Sequence, residues 1–297
     1  MSKLPTIIFI VGPTAVGKSE LALALAQEIR GEIISCDSMQ VYREISIANN
    51  KPSQKNLTKI PHHLINIISV KEEFDVVRFN DLAIQAIKDI HKRQRVPIIV
   101  GGSGLYMQVL LDGIFKGTSK DEALRLRLLK EKPENLYQRL KDIDPKAALK
   151  IHANDTKRIV RALEVWEKEG QAISQLQSKR QGLWGNYDIF IFGLTRDREQ
   201  LYGMINQRVE DMFKEGLVDE VKKISSLRLS QTAERIIGVR EVEGYLKGKY
   251  DLNHAKELMK MNTRRYAKRQ GTWFKKEKRI EWFDLTTEKE VHGTSTA

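Results

Sequence analysis

Thr6-Ile7-Ile8-Phe9-Ile10-Val11 runs directly into Gly12-Pro13-Thr14-Ala15-Val16-Gly17-Lys18-Ser19, and helix-forming residues at helical spacing follow over Glu20–Glu28. A β-branched run, a loop of the form G-x-x-x-x-G-K-[ST] and a helix, in that order, are the context in which such a loop cradles phosphate. Glycines let the backbone wrap a diphosphate with its N–H groups, and the following helix presents its positive end. Lys18 then reaches phosphate oxygens and the Ser19 hydroxyl can hold Mg²⁺. Gly12, Pro13, Thr14, Ala15, Val16, Gly17, Lys18 and Ser19 are accordingly the diphosphate-binding candidates, with Ser19 the metal-ligating one.

Outward from this loop, short β-branched runs alternate with helical patterns, as in a parallel sheet covered by helices. Glu32–Ser35, His63–Ile68 and Pro97–Val100 read as further strands, and Val77–His91 as a helix. From Gly113 to about Gln181 strand signals vanish and charged helical patterns take over, with Asp144-Pro145 and Asn154-Asp155 as helix starts. Tyr187–Leu194 restores an alternating strand; Arg198–Ser225 and His254–Lys275 read as long helices and Ile280–Leu285 as a last strand. The expected architecture is α/β: a P-loop parallel-sheet core formed discontinuously by 1–115 and 185–285, a helical insertion over 116–184, and a disordered tail over 286–297.

Composition narrows the class. Of the 297 residues 41% are hydrophobic, enough for a sizeable core, and 51 Lys+Arg against 39 Asp+Glu leave a charge of +12. The excess sits in two places, +6 over 113–186 and +7 over 251–279, which favours a nucleic-acid partner over an evenly solvated surface. No apolar run approaches a membrane span, the start carries no signal-peptide pattern, and Cys36 is alone, so a cytoplasmic protein without disulfides is expected.

What the loop holds is narrowed by the neighbouring strand ends. Pro97–Val100 ends in Gly101-Gly102-Ser103-Gly104 and lacks the aspartate with which ordinary ATPases position Mg²⁺. Asp37 instead ends the strand after the loop helix, at the sheet edge where ligands of such folds bind. A carboxylate there can take a proton from a nucleophile attacking something bound in the loop. A small-molecule kinase or a nucleotide-switched RNA-binding protein would use the same loop, and these readings stay open on the loop alone.

The wider set of motifs resembles the tRNA dimethylallyltransferase family in its bacterial form. The matching stretches are GPTAVGKS at 12–19, DSMQVYR at 37–43, Lys51-Pro52, PHHL at 61–64, VGGSGLY at 100–106, HANDTKRIVRALEV at 152–165, INQRVEDMFKEGLVDEV at 205–221, IIGVRE at 236–241 and TRRYAKRQGTWF at 263–274. The resemblance implies transfer of a dimethylallyl group from dimethylallyl diphosphate to N6 of the adenosine 3′-adjacent to the anticodon, with Mg²⁺ as cofactor and a monomer as the working form. It implies Asp37, Thr14 and Arg208 as catalytic residues. It also implies tRNA contacts through Asp37, Ser38, Met39, Gln40 and Ser103 on the base side, Lys157, Arg158, Ile159, Val160 and Arg161 in the insertion, Arg235, Ile236, Ile237, Gly238, Val239 and Arg240, and Arg125. Base and diphosphate are expected to meet from opposite ends of a channel, and Arg264, Arg265, Lys268, Arg269, Lys275 and Lys276 to attract phosphates.

Three departures from the family's pattern stand out. Ala48-Asn49-Asn50 replaces Gly-Thr-Ala before Lys51-Pro52, Val239 precedes Arg240 where tyrosine is common, and Gly271 interrupts a helical run, where a bend or close packing is expected. His62 and His63, neighbours on a strand, point to opposite faces and read as structural, while Trp273 and Phe274 read as core.

Overall fold

The structure is a computed structural model that describes residues 4–115 and 120–286. The tail expected over 286–297 therefore lies, apart from Thr286, outside the described residues. The chain forms two compact units, with breaks between Leu110 and Leu111 and between Trp184 and Gly185.

The first unit is built on β1 (Thr6–Val11), α1 (Lys18–Glu28), β2 (Gly31–Ser35), α2 (Gln54–Lys59), β3 (His62–His63), α3 (Val76–Lys92), β4 (Val96–Gly101) and α4 (Gly104–Asp112), the last crossing the break. The chain returns to it with β5 (Asp188–Thr195), α10 (Arg198–Lys214), α11 (Leu217–Ile224), a 3₁₀ turn at Ala233–Arg235, α12 (Val239–Leu246), α13 (Leu252–Phe274) and β6 (Glu281–Asp284). Six strands form one sheet in the order β3-β2-β4-β1-β5-β6, every pairing parallel. β1 is buried from Ile7 onward, as expected of a strand covered on both faces. Ile8, Ile10, Ile33, Ile98 and Val100 of the sheet form one cluster with Val16, Ala22 and Ala26 around the loop helix. Helix α3 carries Phe79, Ala83, Ile87 and Ile90 at helical spacing, all buried.

The second unit, Leu111–Trp184, holds α5 (Glu122–Leu128), α6 (Pro133–Ile143), α7 (Pro145–Ala148), α8 (Thr156–Glu169) and α9 (Ile173–Ser178). The helix starts read from sequence are real caps: Asp144 accepts the Ala147 N–H and Asp155 the Arg158 N–H. Its core joins Leu128, Leu136, Leu140, Ile159, Val160 and Leu163. Within it Glu164 is 0% exposed and accepts from Arg125 at 2.9 and 2.8 Å, Arg161 at 2.6 Å and the Asp121 N–H at 2.8 Å. Burial raises its proton affinity, but those donors outweigh burial and hold the carboxyl down to about 2.

Three expectations are corrected here. Arg198–Ser225 is two helices, because Gly216 takes φ +99° between them. The strand expected over His63–Ile68 is only His62–His63, and Ile68 instead bridges to Tyr42. Gly271 does not mark close packing: α13 runs through it without a break, and a Cβ there would meet nothing within 4 Å.

Candidate active site

β1 delivers the chain to the loop at Gly12, whose φ of +141° and approach to the Leu194 carbonyl, where a Cβ would stand 2.5 Å away, exclude any side chain. The loop ends at Gly17, φ +108°, which caps α1 and aims its N-terminus into a cavity of about 260 Å³. Thr14 to Ser19, Asp37, Lys51, His62 and Arg208 are among its lining. Lys18 is folded back, its Nζ donating to the Pro13 carbonyl at 2.6 Å. Burial, and then the Arg208 charge, lower its pKa to about 7, against the pull of Asp37. A polyanion entering this cavity meets a loop built to receive negative charge and a lysine whose protonation it would favour.

A second cavity, about 290 Å³, opens beside the first and is lined by Ser38, Met39, Ala48, Val209, Met212, Arg235, Ile236, Ile237, Met259, Thr263 and Arg269. Thr14, Asp37, Asn49, Asn50, Arg208 and Tyr266 line both cavities and form their junction. Asp37, just beyond β2, accepts the Met39 N–H at 2.8 Å. Burial raises its proton affinity, and this outweighs the Met39 bond and the Lys18 charge. A carboxylate so placed is a good proton acceptor. Arg208 donates to the Thr14 hydroxyl at 3.2 Å, and among the described residues no carboxylate pairs with it. Its neighbour Glu210 is taken by Lys256 and Lys260, so Arg208 is no surface ion pair.

Sequence reasoning missed the stripe that α13 contributes. Met259, Thr263, Tyr266 and Gln270 follow helical spacing down one side, a pattern visible in the sequence but obscured by the surrounding basic residues. Gln270, 5% exposed, accepts the Thr14 N–H at 2.8 Å and donates to the Gly102 carbonyl at 3.0 Å, tying the loop to the end of β4. The Tyr266 hydroxyl lies near Ser103 and Gln270, and burial together with the Asp37 charge pushes its pKa up. Lys51 was matched only as part of a motif. Its ammonium donates to the Tyr42 carbonyl and the Asn66 side chain, and burial lowers its pKa to about 8 against Glu220 and Glu44.

Several expected contacts fall elsewhere. Gln40 lines the loop cavity, not the second one, and Ser103 is in neither lining. Ile159, Val160, Ile236 and Val239 are buried, so their side chains are packing groups, although Ile236 still borders the second cavity. Arg125 and Arg161 are bound to Glu164, which makes them internal braces of the second unit, whereas Lys157 and Arg158 are exposed. Arg264 is engaged by Asn206 at 2.6 Å and lies over Tyr202; Arg265, Lys268, Lys275 and Lys276 are exposed, as are Arg235 and Arg240. His63 bonds Glu32 at 2.7 Å, a structural role, while His62, on the opposite face, borders the loop cavity. Phe274 is core; Trp273, expected to be core as well, is exposed and closes with one edge of its ring on Gly104.

As to metal, no cluster of three or more His, Cys, Asp or Glu suited to an ion occurs among the described residues. Ser19 lines the loop cavity, where its hydroxyl is of the chemistry that could contribute one ligand to a Mg²⁺ ion.

Fold and site together define a P-loop α/β protein in which a cavity lined by the loop and a second, more apolar cavity meet at one carboxylate. A family model described as IPP transferase matches residues 40–277. A tRNA dimethylallyltransferase of Halothermothrix orenii is 44% identical over 289 residues, 95% of this chain and 88% of the relative. Another, of Thermotoga maritima, is 42% identical over 95% of this chain and 93% of its own. The crystal structure of the full-length tRNA isopentenylpyrophosphate transferase from Bacillus halodurans is 40% identical, covers 95% of this chain and 90% of its own, and superposes with a TM-score of 0.71. A eukaryotic dimethylallyltransferase acting on tRNA gives a TM-score of 0.81 at 33% identity, over 95% of this chain and 74% of its own. The chain belongs to the IPP transferase family.

Proposed function

We propose that the protein transfers a dimethylallyl group from dimethylallyl diphosphate to N6 of the adenosine 3′-adjacent to the anticodon of tRNA. The observation that carries this reading is the junction: Thr14, Asp37 and Arg208 face both cavities. The loop amides, Lys18 and Arg208 receive the diphosphate. The adenosine, extruded from the anticodon loop, enters the second cavity, whose lining of Met212, Met259, Ile236 and Ile237 suits a flat base. An adenine amine is a weak nucleophile, since its lone pair is delocalised into the ring. Asp37 accepts the hydrogen of N6 and takes its proton as the N6–C1 bond forms and the C1–O bond to pyrophosphate breaks. The charge growing on the leaving oxygen is met by Lys18, Arg208 through its place beside Thr14, and the loop N–H groups. Mg²⁺ held through Ser19 would supply further neutralisation of the pyrophosphate.

The tRNA backbone is met by exposed Arg265, Lys268, Lys275 and Lys276, and by Lys157 and Arg158 of the second unit. The reading carries with it a cytoplasmic monomer; among the described residues no helix is long and apolar enough to cross a membrane. The test is incubation with labelled dimethylallyl diphosphate, Mg²⁺ and unmodified bulk tRNA, followed by digestion and mass analysis for N6-prenylated adenosine. Product from the wild type and its loss in Asp37→Asn, with diphosphate binding retained, is the expected result. No product, with better thermal protection by ATP than by dimethylallyl diphosphate, would favour a kinase instead.

A further inference from the structure

The segment Ser46–Lys51 has no helix or strand, yet it supplies Asn49 and Asn50 to the junction of the two cavities and Lys51 to the first. Its conformation is held from outside. Three consecutive backbone N–H groups, of Ser46, Ile47 and Ala48, converge on the carboxylate of Glu220 at 2.6, 2.8 and 2.9 Å. The turn closes on itself through Lys51 N–H to the Ser46 carbonyl and Asn50 N–H to the Ile47 carbonyl, with Asn50 at φ +45°. Successive N–H groups turned inward form an anion-binding concavity, and here the anion is a side chain of α11.

The hold reaches Asp37. Asn49, 9% exposed, donates from Nδ2 to the Met39 carbonyl at 2.6 Å, and the N–H of the same Met39 bonds the Asp37 carboxylate at 2.8 Å. Gln40 adds bonds to the Asn49 and Asn50 carbonyls at 3.4 and 3.3 Å. The route is therefore continuous: Glu220, three amides, Asn49, Met39, Asp37. Asn49 Oδ1 has no partner among the described residues, so this buried amide is held in place by the segment and by Met39 rather than by bonds of its own at both ends.

We propose that Glu220 is a positioning residue for prenyl transfer, acting through Ser46–Lys51 to fix Asn49 and with it the orientation of the Asp37 carboxylate. This rests on the functional reading above. Glu220 lines neither cavity itself and acts on them through the segment it holds, so its loss changes chemistry more than binding of the diphosphate, which the loop at 12–19 receives. The experiment measures kcat and the KM for dimethylallyl diphosphate in E220Q and E220A, with circular dichroism melting as the control for folding. E220Q keeps the shape of the side chain but turns an amide N–H₂ toward backbone donors. A fall in kcat on the order of ten- to a hundredfold is expected, with KM changed by less than about threefold. In E220A the emptied concavity accepts a small anion, so added acetate restores part of kcat, while E220Q shows no rescue. Unaltered kcat in E220Q, or a loss in both variants that follows the folded fraction and ignores acetate, overturns the inference. Wild type run alongside separates the two claims: no product from it overturns the functional reading, whereas wild-type turnover matched by E220Q overturns the role of Glu220 alone.

Discussion

Gln270→Ala is the perturbation whose size the structure sets most directly. The side chain is buried, and it alone links the Thr14 N–H, at 2.8 Å, to the Gly102 carbonyl, at 3.0 Å. Truncation leaves the Gly102 carbonyl without this partner in a buried place, at about 1–3 kcal/mol, and frees the half-buried Thr14 N–H at a cost near the lower end of that range. The expected loss is about 2–4 kcal/mol, which for a chain of this size lowers the melting temperature by roughly 3–6 °C. Gln270→Glu separates the two bonds. A carboxylate still accepts from Thr14 but sets lone pairs against the Gly102 carbonyl, so this variant is destabilised despite the unchanged shape. Urea and thermal unfolding of the ligand-free protein measure the loss, and turnover follows it because Thr14 faces the junction. Stability of Gln270→Ala within about 0.5 kcal/mol of wild type, with unaltered turnover, would refute the tie between the loop and β4.

The ligand-free protein is expected to gain stability as pH rises above about 7. Lys18 titrates near 7 when folded and near 10.5 when unfolded, so the unfolded chain binds more protons between those values and stability climbs across that window. Lys51, lowered to about 8, adds to the climb from there; urea midpoints at pH 6 to 9.5 should flatten in Lys18→Met, and an unchanged profile would deny the shift. Diphosphate binding above pH 7 should take up protons, read by calorimetry in buffers of different ionisation enthalpy. Gly271→Ala fills open space inside α13 and should stabilise by up to about 1 kcal/mol in urea unfolding; a loss would show that the site is not open. Neutralising Arg265, Lys268, Lys275 and Lys276 together should lower the slope of log affinity for tRNA against log salt by about 3, and an unaltered slope would return them to a solvated surface.

Much of the site was legible from local pattern. The run from Thr6 to Ser19 carries its own instructions, because a strand, two glycines at positive φ and a helix start are set by neighbours in sequence. Asp144 and Asp155 announced their helices for the same reason, a cap being a bond between residues three apart. Asp37 was readable as the residue ending a strand beside the loop.

Contacts between residues far apart were not legible in this way. That Arg125 and Arg161 are bonded to the buried Glu164 could not be read from the sequence, since a buried carboxylate needs donors and a basic residue in sequence does not declare which anion it meets. Gln270 lies 256 residues from Thr14 and Glu220 lies 172 from Ala48. No local spacing encodes either pair; each arises because packing α11 and α13 into the first unit brings polar groups distant in sequence within hydrogen-bond reach. The phosphate loop, the parallel sheet and the family thus follow from the order of residues along the chain. Which basic residues are braces, which stand exposed, and which side chains lie about Asp37 where two cavities meet follow from folding, because packing brings together charges and amides that are far apart in sequence.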